Sequence, residues 1–131
     1  METATITKTT ASVYRVLIVD DETAICEILA EVLRSPTRSI ETCDTARGAL
    51  EFLQHNPVDL AFVDVNLPGM SGLELTQRIK ELNPQAHIII CTGYVGPELE
   101  EQAEAVRADR VLEKPLNFGE VLQLADSYAS E

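Results

Sequence analysis

The sequence predicts an α/β fold, a doubly wound parallel sheet of five strands with five helices covering its faces. Three observations carry this expectation. Strand-like and helix-like stretches alternate strictly from Val13 onward. The strand-like runs Leu60-Ala61-Phe62-Val63 and Ile88-Ile89-Ile90-Cys91 are apolar at every position, as in parallel strands buried on both faces. The first and third runs stop at carboxylates, Asp20-Asp21 and Asp64, which puts charge at the sheet edge where open α/β sheets bind ligands.

The elements follow in order. Residues 1–12, Met1 to Ser12, are threonine-rich without apolar periodicity and are expected to form a loose, flexible tail, which leaves 13–131 as one domain. Tyr14–Val19 is the first buried strand. Glu22–Arg34 carries Ala24, Ile25, Ile28, Leu29, Val32 and Leu33 at helical spacing, with Asp21 as the expected N-cap and Pro36 as the stop. Ser39–Cys43 is a short second strand. Asp44 or Thr45 can cap a helix over Ala46–Gln54, whose Ala46, Ala49, Leu50 and Leu53 make one stripe before the breaker Asn56-Pro57.

Val58–Asp64 is the third strand, and Leu67–Gly72 a loop in which Gly69 and Gly72 let the backbone bend. A helix spans Leu73–Leu82 up to Asn83-Pro84, and the fourth strand is His87–Thr92. After the loop Gly93–Pro97 comes an acidic helix, Glu98–Arg107, then a short fifth strand, Arg110–Leu112. Asn117 caps a last helix running to about Tyr128. Alternation of this kind forces parallel pairing through right-handed crossovers. The common solution is the flavodoxin-like strand order 2-1-3-4-5, with its crevice beside strands 1 and 3. Those are the strands that end in Asp20, Asp21 and Asp64.

Composition narrows the function classes. Net charge is −12, from 22 acidic and 10 basic residues, which argues against direct nucleic-acid binding, where phosphates call for basic patches. The longest apolar runs fall far short of the roughly 18–20 residues of a membrane span. No secretory leader is visible, so a cytoplasmic protein is expected. Cys26, Cys43 and Cys91 fit neither a zinc spacing nor a CxxC pair and read as reduced, mostly buried apolar residues.

The chemistry concentrates at one sheet edge. Thr92 ends the fourth strand and Lys114 follows the fifth, beside the three aspartates. Carboxylates brought this close repel one another unless a cation intervenes, and hard divalent cations choose such oxygen clusters. Asp20 and Asp21 are therefore expected to hold Mg²⁺. Asp64 would also touch the metal and act as nucleophile toward phosphorus. Lys114 would offset phosphoryl charge, and the Thr92 hydroxyl would donate to a phosphoryl oxygen. Taken singly, each is an ordinary cap, turn or surface residue. Their convergence on one edge is what carries the reading.

Four stretches, VLIVDDE (Val16–Glu22), DLAFVDVNLPGMSGLEL (Asp59–Leu75), IIICTGY (Ile88–Tyr94) and VLEKPL (Val111–Leu116), resemble the receiver domain of bacterial two-component response regulators in order and spacing, over about residues 13–129. The resemblance implies a phosphorylation-dependent signalling switch that takes a phosphoryl group from a sensor histidine kinase or phosphotransfer protein. Asp64 would be the acceptor, Thr92 the switch hydroxyl and Lys114 the phosphoryl-binding lysine. Mg²⁺ would be held by Asp20, Asp21, Asp64 and the backbone carbonyl of Asn66. The Lys114–Pro115 bond is often cis in this family. The domain would catalyse only its own phosphorylation and dephosphorylation and would pass the signal to an output domain or downstream protein, with a homodimer as a further option.

One departure, one surface feature and two competing functions accompany the resemblance. Strand 5 has Val111 where the family often has Tyr or Phe, so Tyr94 is the candidate aromatic gate. Glu98, Glu100, Glu101 and Glu104 make the fourth helix an acidic face, read first as simply solvated and, in the sharper alternative, as a face that repels its own copy and favours a basic partner. The competing functions are a degenerate receiver acting as a constitutive interaction module and, more remotely, a haloacid-dehalogenase-type phosphohydrolase. The latter usually needs a second aspartate where this chain has Asn66.

Overall fold

The computed structural model describes residues 13–130; the expected tail, 1–12, lies outside them. The elements are β1 (Tyr14–Val19), α1 (Thr23–Leu33), β2 (Arg38–Cys43), α2 (Ala46–Leu53), β3 (Leu60–Asp64), α3 (Gly72–Leu82), β4 (His87–Thr92), α4 (Pro97–Ala105), β5 (Arg110–Glu113) and α5 (Phe118–Ala129). The sheet order is β2-β1-β3-β4-β5, all parallel, as the alternation predicts.

Strand pleating splits the core in two. Leu17, Val19, Ala61, Val63, Ile88 and Ile90 face α2, α3 and α4, against Ala46, Leu53, Leu75, Ile79 and Ala103. Val16, Ile18, Leu60, Phe62, Ile89 and Cys91 face α1 and α5, against Leu29, Leu33, Val121 and Ala125. Every residue of β3 is buried, so truncating Phe62 to Ala would cost about 3–5 kcal/mol. This packing makes the central strand ends a rigid frame for the side chains beyond them.

Boundaries shift by one or two residues from expectation, and some shifts have visible causes. β2 is an edge strand and has no buried residue, which is why its apolar signal is faint. Thr45 caps α2, its side chain accepting from the Gly48 N–H, and Asn117 caps α5 by accepting from Glu120. Asp21 does not cap α1. Glu22 is the N-cap, with no side-chain cap hydrogen bond, and its N–H donates to Asp20 Oδ1 at 2.9 Å. The carboxylate of Asp20 thus organises the turn that was expected of its neighbour. Helix α4 stops at Ala105, and Arg107 then turns the chain at φ 64°.

Candidate functional site

Register brings the site together. Val19 pairs with Val63, so Asp20, one residue on, comes level with Asp64. Asp64 pairs with Cys91, and Thr92 with Glu113. Lys114 comes next, its N–H donating to the Thr92 carbonyl at 2.7 Å. The Lys114–Pro115 bond is cis. Five residues predicted from the sequence, Asp20, Asp21, Asp64, Thr92 and Lys114, therefore meet at the carboxyl ends of four strands.

Asp20, Asp21 and Asp64 each present a carboxylate oxygen within 4.8 Å of the others'. Their surroundings differ. Asp20 and Asp64 are 3% and 6% exposed, whereas Asp21 faces solvent. The Asp20 backbone is held on both sides: its N–H donates to the Cys43 carbonyl at 3.1 Å, and its carbonyl accepts from the buried Cys26 thiol at 3.3 Å. Cys26 was expected to be only an apolar residue, and its single polar contact gave no signal in the sequence.

Lys114 Nζ lies 3.0 Å from Asp20 Oδ2, 3.3 Å from Asp64 Oδ1 and 3.5 Å from Glu22 Oε1. Partial burial works against its charge, but the hydrogen bond and charge of Asp20, and then the charge of Asp64, outweigh it and raise its pKa. Asp64 moves up as well, which an ion pair alone would not cause. Burial and the Asp20 charge push it up, and Lys114 and the Asn66 N–H only partly oppose them. The cluster thus carries more negative charge than one ammonium neutralises. That deficit, and the all-oxygen donor set, fit a hard divalent cation such as Mg²⁺.

Two glycines shape the backbone that follows Asp64. Gly69 sits at φ 85° in the loop after β3, a conformation that favours glycine. Gly72 is the tighter requirement: a Cβ there would lie 2.1 Å from the Asp64 carbonyl oxygen. The expectation of a bend near the site holds for Gly69, whereas Gly72 is needed for close approach of α3 to the end of β3.

Thr92 is 5% exposed, and its hydroxyl is clasped by Tyr94: it lies 3.3 Å from the Tyr94 carbonyl, to which it donates, and 3.3 Å from the Tyr94 N–H, from which it accepts. The Tyr94 ring is 74% exposed and lies over Gly96, where a Cβ would meet the ring at 2.7 Å. Val111 is half-buried against the core on the α2–α3–α4 side of the sheet. The glutamates of α4 all face solvent. A cleft of about 630 Å³ opens at the opposite sheet edge, lined by Tyr14, Asp59, His87 and Tyr128 among others, and none of the site residues contributes to it.

Comparison with known proteins agrees with this geometry. The response regulator receiver domain family matches residues 16–126. The chain belongs to that family. It is 33% identical over 114 residues to a cyclic di-GMP phosphodiesterase of Thermotoga maritima, covering 87% of this chain and 30% of that protein; the receiver thus spans under a third of that relative. A CheY-like response regulator receiver domain protein of Methanospirillum hungatei is 31% identical with a TM-score of 0.85, covering 91% of this chain and 95% of that one. A response regulator protein of Burkholderia pseudomallei, whose structure holds a phosphorylated aspartic acid, a calcium ion and citrate, is 28% identical with a TM-score of 0.79, covering 89% of this chain and 69% of that one. Receivers are signalling switches of two-component systems and act through kinases and output partners. Among the described residues no helix is long and apolar enough to cross a membrane.

Proposed function

We propose that this receiver accepts a phosphoryl group on Asp64 from a phosphohistidine of a sensor histidine kinase or phosphotransfer protein. The observation that carries the reading is the ammonium of Lys114 between Asp20 and Asp64, at 3.0 and 3.3 Å. An Asp64 carboxylate oxygen attacks phosphorus, the N–P bond breaks, and the imidazole leaves with the bonding electron pair. Lys114 moves from the carboxylates toward the phosphoryl oxygens as the Asp64 charge is consumed. Asp20, Asp21, Asp64 and the Asn66 backbone carbonyl are the Mg²⁺ ligands in this reading. The metal, when bound, supplies charge neutralisation at the phosphoryl oxygens.

Thr92 reports the reaction. Its hydroxyl bonds Tyr94 at both backbone positions, so donating instead to a phosphoryl oxygen releases the β4–α4 loop. With Val111 at the strand-5 position, Tyr94 is the aromatic that this release moves. The Burkholderia relative with its phosphorylated aspartic acid supports the same chemistry.

The test is incorporation of label from a purified kinase and from acetyl phosphate, with Mg²⁺. Wild-type protein should be labelled and Asp64→Asn should not. Label persisting in Asp64→Asn would refute the acceptor assignment, and no label in the wild type from any donor would support a constitutive interaction module instead.

A further inference from the structure

We propose that Glu22 is a specificity-determining residue of this site: its carboxylate, at the mouth beside Lys114, disfavours dianionic small-molecule phosphodonors relative to donors of lower net charge. The inference rests on the phosphotransfer reading above and concerns which donor the site accepts.

Three carboxylates share one ammonium, with Lys114 Nζ at 3.0 Å from Asp20, 3.3 Å from Asp64 and 3.5 Å from Glu22. The first two are nearly buried and belong to the reacting cluster. The Glu22 side chain is 64% exposed and stands at the solvent side of Lys114. Its backbone is pinned: the N–H donates to Asp20 Oδ1 at 2.9 Å, and the carbonyl accepts from the Ile25 and Cys26 N–H groups at 3.0 and 3.2 Å. A carboxylate at a helix N-cap normally turns back onto the helix N–H groups. Here the side chain makes no cap hydrogen bond and lies toward Lys114.

A donor that reaches Asp64 brings its phosphoryl oxygens to Lys114, and so passes Glu22. With Mg²⁺ bound, the ion and Lys114 together balance Asp20, Asp21 and Asp64, so the Glu22 carboxylate beside Lys114 adds negative charge that nothing in the cluster offsets. Acetyl phosphate near neutral pH is a dianion and meets that repulsion in full. Phosphoramidate carries a protonated amino group, so its net charge is lower, and a phosphohistidine arrives on a protein surface that brings its own charges. Because Glu22 is exposed, water and salt screen it, and the discrimination is modest and salt-sensitive.

The experiment compares wild type, Glu22→Gln and Glu22→Lys at saturating Mg²⁺, with metal affinity measured for each protein by thermal shift. Initial phosphorylation rates are read on phosphate-affinity gels with acetyl phosphate and with phosphoramidate, at low and high salt. Glu22→Gln should speed labelling by acetyl phosphate about two- to fivefold at low salt, the range exposed charge pairs allow, with a smaller change for phosphoramidate. Glu22→Lys should widen the gap, and about 1 M salt should close it. An equal change with both donors, no change, or a gap indifferent to salt would overturn the Glu22 assignment while leaving phosphotransfer standing. A wild-type protein labelled by neither donor would overturn both.

Discussion

Lys114 Nζ lies 3.0 Å from Asp20 Oδ2 and joins the end of β5 to the end of β1 across 94 residues of chain. The lysine proposed to bind the phosphoryl group is, at rest, the counter-ion of a residue proposed to bind metal. One cation therefore does provisionally what a divalent ion does better. The pair also ties an edge strand to a central one at the site itself.

That relationship makes Lys114→Ala a test of charge balance. Removing the ammonium takes from Asp20 and Asp64, both nearly buried, the one cation that pairs with them among the described residues. The metal-free protein should lose about 1–3 kcal/mol in urea unfolding, less than a fully enclosed pair because the Lys114 side chain is itself 20% exposed. Mg²⁺ should restore most of the loss, so the metal should stabilise the variant more than the wild type. Equal stabilisation of the two proteins by Mg²⁺ would remove Lys114 from the counter-ion role.

Asp64 predicts a pH dependence of opposite sense to that of an ion-paired carboxylate. Its folded pKa is raised above the unfolded 3.8 by burial and by Asp20. Between those two values the folded state binds more protons than the unfolded state. The Asp64 contribution to stability is thus fully present below pH 3.8 and is lost as pH rises through the folded value. Asp64→Asn removes that contribution. The difference in unfolding free energy between the variant and the metal-free wild type should therefore grow in the variant's favour from about pH 4 to neutral pH. A constant difference across that range would mean that Asp64 titrates normally. Saturating Mg²⁺ should flatten the wild-type profile, because the ion favours the charged carboxylate.

Gly72→Ala tests the frame rather than the charges. A Cβ at this position would sit 2.1 Å from the Asp64 carbonyl oxygen, a backbone atom that cannot swing aside. Either α3 or the end of β3 must move. Unfolding should cost about 1–3 kcal/mol less than in the wild type, in the range of overpacked sites. Gly93→Ala is the control, since a Cβ there meets nothing within 4 Å. If Gly72→Ala were as stable and as readily labelled as Gly93→Ala, the close approach would not be what positions Asp64.

These tests separate what the sequence made legible from what it hid. Fully apolar runs announce strands covered on both faces, so β1, β3 and β4 were readable, and with them the residues at their ends. The topology rule then sufficed to bring Asp20, Asp21 and Asp64 together, and Thr92 and Lys114 followed from the same edge. The cap of α1 was misread because two adjacent aspartates both satisfy the local pattern. Only the packed turn shows that Asp20 takes the N–H of Glu22. Glu22 itself was passed over because an exposed acid at a helix start is ordinary, and its distance from Lys114 depends on β5, 92 positions away in the numbering. Gly72 looked like a flexible loop residue, since close approach between backbones leaves no mark on local composition. The thiol of Cys26 on the Asp20 carbonyl belongs to the same class.

The signal leaves the site through Thr92 and Tyr94 in this reading. The Thr92 hydroxyl is bonded to the carbonyl and N–H of Tyr94, each at 3.3 Å, long for such contacts and therefore weak. A phosphoryl oxygen, being charged, is the stronger acceptor. On phosphorylation the hydroxyl should change partners, and Tyr94 and the Gly96 beneath its ring should shift with it. Thr92→Val keeps the shape and removes the hydroxyl. Labelling of Asp64 should continue within about tenfold of wild type, because the hydroxyl supplies only one hydrogen bond of about 0.5–1.5 kcal/mol to the reaction. The response should be lost: the amide resonances of Tyr94 and Gly96, which beryllofluoride is expected to displace in the wild type, should stay near their resting positions in the variant. Val111→Ala provides the contrast, since a half-buried valine packed in the core has no exposed position to vacate. It should lower stability by about 1–3 kcal/mol and leave the Tyr94 response intact. A Tyr94 shift that survives Thr92→Val but disappears in Val111→Ala would assign the transmission to strand 5 after all.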